Sequence, residues 1–286
     1  MAAPSRGLWV MVPMGLTLGA LAWALGVGSP SAAEPEARAQ SQSPRVIEPR
    51  VDVAGAGVEG APVGSEPEGG SEPEDGSAPE PDPRFEPATK PARKVLKLQA
   101  SIRASLTYTA YEHQTKVRPS EGIYVWDCSA MMGWFLRKVA PVARKSMDKG
   151  RPVARDYYRK IARSSTKRPK GGWQRLRHIE DVRPGDVFAW IRPPGFPSRN
   201  TGHTGFALAP AEPVPELPGA YTLRILDATS LPHQDDTRTY DGGGGIGEGT
   251  ILFMVDENGR GIAYGWHGRR SRGVIMTDIV FGRLSR

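Results

Sequence analysis

Residues 124–141, YVWDCSAMMGWFLRKVAP, constrain this chain more than any other stretch, and they hold its only cysteine. Asp127 is a good N-cap, the run from Ser129 to Val139 has no Pro and a single Gly, and Pro141 ends it. Met131, Met132, Trp134, Phe135, Leu136 and Val139 cover several faces, so the spacing predicts a buried central helix. Cys128 then falls in the first turn, where free backbone N–H groups and the helix dipole favour an anion. A thiol in such a place is a better nucleophile at neutral pH. The same residue also reads as an inert, packed thiol, since free cysteines are among the most buried residues. Both readings stand at this point.

Three compositional zones follow from the rest of the 286 residues. Arg6 precedes an apolar run, residues 8–27, and small residues at 29–33 supply a cleavage site, with Ala37-Arg38-Ala39 a second candidate. Residues 1–33 are therefore expected to be an export signal, removed to leave no membrane span; the competing reading is a retained anchor. Residues 34–92 are rich in Pro, Gly, Ser and Glu, with 13 Asp/Glu against 5 Lys/Arg, and are expected to form a disordered tether. From Lys90 the sign reverses, to 33 Lys/Arg and 18 Asp/Glu. Residues 93–286 suffice for one domain with a full core. One cysteine in an exported chain leaves no internal disulfide, so the thiol is either reactive or well buried.

Within that domain, Val95, Leu98, Ile102, Leu106 and Ala110 recur at helical spacing and predict a helix over 94–113. A loop with Pro119 and Gly122 leads to the cysteine helix. Residues 144–177 form a basic insertion with a predicted helix at 153–162; between Arg137 and Arg177 there are 15 Lys/Arg against Asp148 and Asp156. Strands are then predicted at 186–191, 203–208, 221–228, 251–256, 261–264 and 274–281, with a turn at Glu257-Asn258-Gly259. The order, helices first and antiparallel strands after, is α+β.

Thiol catalysis needs a base beside the sulfur and a third group to orient that base. His203 opens one strand and Asp227 lies near the end of the next, and neighbouring antiparallel strands would place them side by side. Read singly, His203 is a turn histidine and Asp227 a turn former ahead of Thr229 and Ser230.

Asp127-Cys128-Ser129, Arg183-Pro184-Gly185-Asp186-Val187, Gly202-His203-Thr204-Gly205 and Leu226-Asp227-Ala228 follow one another in an order that resembles the papain-like NlpC-type cell-wall cysteine endopeptidases. Asp127-Cys128-Ser129 is similar to the family's DCSG motif. Arg183-Pro184-Gly185-Asp186-Val187 resembles its LxPGDLV strand entry, and Gly202-His203-Thr204-Gly205 its GHVGI strand. Leu226-Asp227-Ala228 stands where the family has xHA. The resemblance spans residues 108–228. It implies an α+β papain-like NlpC-type domain, N-terminal helices with the catalytic Cys helix packed on an antiparallel sheet. It further implies Cys128 as nucleophile, His203 as base and Asp227 as its orienting partner. Ala130 replaces the family's Gly, and Asp227 stands where His is commoner. The tyrosine segment that normally precedes the cysteine is absent, so Tyr111 and Tyr124 are both candidates for its role. Trp126, Ser129 and His233 complete the candidate pocket.

Other patterns are weaker. His233, Asp235 and Asp236 read as a loop beside the site rather than as metal ligands, because no second histidine pair supports a metal. Residues 242–249 lack the Gly-Lys-Ser/Thr of a phosphate loop and read as a flexible turn. The basic insertion is either a solvated face or a contact for a polyanion. The expected function is hydrolysis of amide bonds in peptidoglycan peptides by an exported, periplasmic, envelope-bound or secreted enzyme. It would use no cofactor or metal, meet peptidoglycan or another anionic envelope polymer, and bind no nucleic acid. The rivals are an inactive envelope-binding module and an acyltransferase or amidase acting on another amide.

Overall fold

The structure, a computed structural model, describes residues 82–268, 271 and 273–286; the expected signal (1–33) and residues 34–81 of the expected tether lie outside the described residues. Thr89 starts the first helix. Its hydroxyl accepts the Ala92 N–H at 3.2 Å, Pro91 lies in the first turn, and α1 runs Lys90–Ser105. The spacing-based prediction of 94–113 is thus corrected at both ends. Past Leu106 the β-branched and aromatic run Thr107-Tyr108-Thr109 prefers extended backbone. It forms β1 (Tyr108–Tyr111), parallel to β3 (Ile123–Trp126), with β2 (Lys116–Arg118) antiparallel on the other side of β3.

β3 runs straight into α2 (Cys128–Val139), where Asp127 Oδ1 accepts the Ala130 N–H at 2.8 Å. Met131, Met132, Phe135 and Leu136 are fully buried. Each such side chain contributes roughly 1.5–3 kcal/mol of transfer free energy, so packing fixes α2 and, with it, the place of Cys128. A short α3 (Pro141–Lys145) and α4 (Ala154–Ala162) follow. The basic segment is built into the core rather than appended to it. Tyr157 and Ile161 of α4 are fully buried, the Tyr157 hydroxyl donates to the Ser129 carbonyl at 3.3 Å, and Arg155, Arg159 and Arg163 face outward.

The remaining strands are β4 (Trp173–Arg175), β5 (Val187–Ile191), β6 (Gly202–Ala207), β7 (Glu212–Pro213), β8 (Ala220–Thr229), β9 (Gly245–Val255), β10 (Gly261–Gly265), β11 (Val274–Met276) and β12 (Ile279–Leu284). They pair antiparallel in the order β11-β10-β9-β8-β6-β5-β12-β4, with β7 on β8. Two predictions are corrected here. Residues 245–249, read as a flexible turn, are the first half of β9 and pair with Ile225–Thr229 of β8. The single closing strand predicted at 274–281 is two strands on different neighbours.

Alternation along the strands puts one set of side chains on each face. Val187, Ala189, Phe206, Leu226 and Ala228 pack with the helices, and the Phe135 and Phe206 rings lie 5.2 Å apart. Phe188, Trp190, Leu223, Ile225, Phe253 and Tyr264 form a second core on the other face. The fold is α+β: N-terminal helices, a buried helix beginning at Cys128, and a large antiparallel sheet. Among the described residues no helix is long and apolar enough to cross a membrane.

Candidate active site

Gly202 has φ +142°, and a Cβ there would sit 1.9 Å from the Trp190 carbonyl oxygen. Only glycine tolerates that approach, and it sets His203 opposite Trp190 at the start of β6. On β8, Leu226 and Ala228 point to the helices, so Asp227 points to the other face, beside His203. His203 Nε2 lies 2.6 Å from Asp227 Oδ2, with Asp227 fully buried and His203 nearly so. The cross-strand placement expected from the sequence is what the sheet delivers. The Trp190 and Trp266 rings flank the imidazole at 5.0 and 5.6 Å.

The loop after β8 brings two more side chains to the same carboxylate. His233 Nε2 lies 2.9 Å from Asp227 Oδ2, and its Nδ1 lies 3.0 Å from the Trp266 carbonyl oxygen. Arg238 Nη1 lies 2.7 Å from Asp227 Oδ1 and donates to the Gly245 carbonyl at 3.1 Å. Arg238 Nε and Nη2 also donate to the two oxygens of Asp236, each at 2.7 Å, and Asp236 accepts the His233 backbone N–H at 2.8 Å. The glycines of β9 make room for this loop. A Cβ at Gly247 would meet Arg238 Nε at 2.5 Å, and one at Gly249 would meet Asp236 Oδ2 at 2.5 Å. Sequence reasoning missed Arg238, because one arginine in a basic domain carries no flag. The alternating glycines 245, 247 and 249 were the available signal, since period two is a strand signature.

These contacts set the charges. Burial alone would push the Asp227 carboxyl up, but Arg238, His233 and His203 together hold it well below the usual carboxylate range. An ionised carboxylate only accepts, so the Nε2 of each histidine donates to it. Burial pushes His203 down, yet Cys128, and after it Asp227, raise its pKa to about 10. Arg238, buried between two carboxylates, is raised despite its desolvation.

Cys128 is buried at the start of α2, its Sγ 3.8 Å from the Ser129 hydroxyl. Tyr111 sits in the same field. Burial first, then the charges of Cys128 and Asp127, push its phenol up, and its oxygen accepts from Asn200 Nδ2 at 3.3 Å. Tyr111 and His203 both line a cavity of about 430 Å³ whose walls include Trp190, Phe196, Tyr264 and Trp266. The remaining candidates lie elsewhere. Tyr124 and Trp126 are buried in the helix-side core, their rings 5.3 Å apart. Ser129 faces a separate cleft of about 540 Å³ with Asp127, Arg137 and Arg144. His233 is beneath the site as a partner of Asp227, not on the cavity wall.

His203, Asp227 and His233 offer ligand atoms within 4.8 Å of one another, the one such trio among the described residues. A cation there would have to replace both N–H···O bonds to Asp227 and lie beside Arg238. The donor set suits a carboxylate that orients two imidazoles better than a metal ligand set. No family model, curated protein or solved structure matches this chain.

Proposed function

We propose that this chain is a papain-like, NlpC-type cysteine hydrolase that cleaves amide bonds in peptidoglycan peptides outside the cytoplasm. One observation carries the reading: His203, bonded to a fully buried Asp227, lies in the field of a cysteine at the N-terminus of a buried helix. Asp227 occupies Nε2 and thereby leaves Nδ1 for the sulfur. In the resting pair the Cys128 proton already sits on His203, and the thiolate attacks the amide carbonyl carbon. First-turn N–H groups not taken by the Asp127 cap, that of Cys128 among them, stabilise the oxyanion. The C–N bond then breaks as His203 protonates the leaving amine, leaving a thioester on Cys128. Water adds to the thioester as His203 takes its proton; the C–S bond breaks and the thiol is restored. The test is digestion of purified muropeptides with identification of products by mass. New fragments bearing a free amine and a free carboxyl, absent with Cys128→Ala, support the reading; intact muropeptides after prolonged incubation with wild type overturn it.

The aromatic lining of the cavity beside His203 favours a second reading, an amidase or acyltransferase acting on a less polar amide. The same thioester would form, and an amine acceptor in place of water would distinguish the transferase.

A further inference from the structure

Arg192 and Asn200 line two adjoining hollows. The first is the cavity of about 430 Å³ into which His203 opens, with Trp190, Phe196, Tyr264 and Trp266 in its walls. That volume falls in the range of roughly 300–1,000 Å³ typical of small-molecule sites. The second, about 190 Å³, is lined by Arg155, Arg159, Arg192 and Arg199 with Tyr158 and Thr201. Elsewhere in this domain several arginines sit on carboxylates: Arg238 on Asp227 and Asp236, Arg283 on Asp186, Arg260 on Asp256. Among the described residues none of these four side chains makes a direct ion pair with a carboxylate, though Arg155 acts on Asp156 through space. Arg192 Nη1 donates to the Ser198 carbonyl, and the nearby Asp278 is held by the Tyr158 hydroxyl at 3.4 Å.

Four exposed cations around one hollow repel one another, and guanidinium groups bind carboxylates and phosphates in paired hydrogen bonds. The groove is thus complementary to an anion, and it opens beside an aromatic hollow that favours an apolar body.

We infer that the site takes an anionic amphiphile: a molecule whose amide is flanked by an apolar or aromatic group, with a carboxylate or phosphate a side-chain length away. The apolar group fills the cavity at His203 and the acid lies on Arg192 and Arg199, with Arg155 and Arg159 behind them. That the bound molecule is a substrate rests on the hydrolase reading above; that it binds does not.

The experiment uses the full chain carrying Cys128→Ala, so that binding is read without turnover. The probes are dansylglycine and its uncharged counterpart dansylglycinamide, followed by dansyl fluorescence with energy transfer from tryptophan. Dansylglycine is expected to bind at least about tenfold more tightly than the amide, the gain of one charge-assisted contact. Arg192→Gln with Arg199→Gln should erase that preference, and Phe196→Ala should weaken both probes alike. Competition by phenyl phosphate against phenylacetate then separates a phosphate site from a carboxylate site. Equal affinity for acid and amide overturns the inference. So does an acid preference that survives the arginine substitutions, because the attraction would then belong to the basic domain as a whole. If the acid preference stands but wild type cleaves no amide in any substrate offered, the binding inference is supported and the hydrolase reading fails.

Discussion

His203 and His233 converge on a single oxygen, Asp227 Oδ2, at 2.6 and 2.9 Å, while Arg238 holds the other oxygen at 2.7 Å. Removing the carboxylate leaves three buried nitrogen-bearing side chains without their common acceptor. Asp227→Ala is therefore expected to cost about 3–5 kcal/mol of stability, read as a shift in the denaturant midpoint. Asp227→Asn should hold the fold better but lose most hydrolysis, since its amide can favour the wrong imidazole tautomer. The resemblance would suggest that histidine is welcome at this position. Arg238 argues otherwise, and Asp227→His is expected to do no better than Asp227→Ala. A histidine variant with wild-type stability would show that Arg238 swings away at little cost.

Cys128 and His203 should behave as one unit. Cys128→Ala and His203→Ala are each expected to abolish amide hydrolysis, and the double variant should be no worse than either alone. Circular dichroism should show all three folded. Additive losses would mean that the two side chains act separately.

The His203 ring should stay protonated through neutral pH and titrate near pH 10, because Cys128 and Asp227 outweigh its burial. The observable is the ring nitrogen shift in NMR, and Cys128→Ala should move the titration down. The sign for stability follows. A pKa raised above the unfolded value of ~6.5 stabilises the fold fully below that pH, and the contribution fades as pH climbs through about 10. A ring already neutral at pH 7 would remove the ion-pair account.

Gly247→Ala tests the packing that admits Arg238. The new methyl would press on Arg238 Nε, Cδ and Cγ at 2.5–2.7 Å, and that side chain is pinned at its far end. Overpacking of this kind costs about 1–3 kcal/mol. Hydrolysis should fall as well, since Arg238 cannot move without disturbing Asp227. A melting curve and rate matching wild type would show that the loop after β8 yields easily.

The outer face of α4 should bind anionic wall polymer. Arg155, Arg159 and Arg163 are exposed there, and such attraction weakens once the screening length falls to ~8 Å at physiological salt. Changing all three to Glu should reduce sedimentation with wall fragments at low salt. Binding that is unchanged in concentrated salt would argue against an electrostatic contact.

Much of this was legible from local rules. The Asp127 cap and the apolar density after it mark α2, and period two marks β5, β6 and β8, so His203 and Asp227 could be set on adjacent strands. What stayed hidden depends on distant chain. Leu106 and Ala110 keep helical spacing beyond the true end of α1, where Tyr108–Tyr111 pairs instead with β3. Residues 245–249 look like a loop by composition, and only the segment laid across them explains why glycine serves a strand there. His233 and Arg238 reach Asp227 through a turn whose shape no short pattern encodes.

The order of residues along the chain and their order in space part company at Ala228. A fragment ending there would contain Cys128, His203 and Asp227, and also every segment that resembles the endopeptidase family. It would lack β9, against which all ten residues of β8 pair, along with both Arg238 and His233. Its aspartate would stand on an edge strand paired only with β6 and β7, opened to water and left with His203 alone of its three partners. The smallest autonomous unit of this protein must therefore reach well beyond the region that carries the resemblance. Truncations designed from motif boundaries alone should yield aggregates rather than a minimal enzyme.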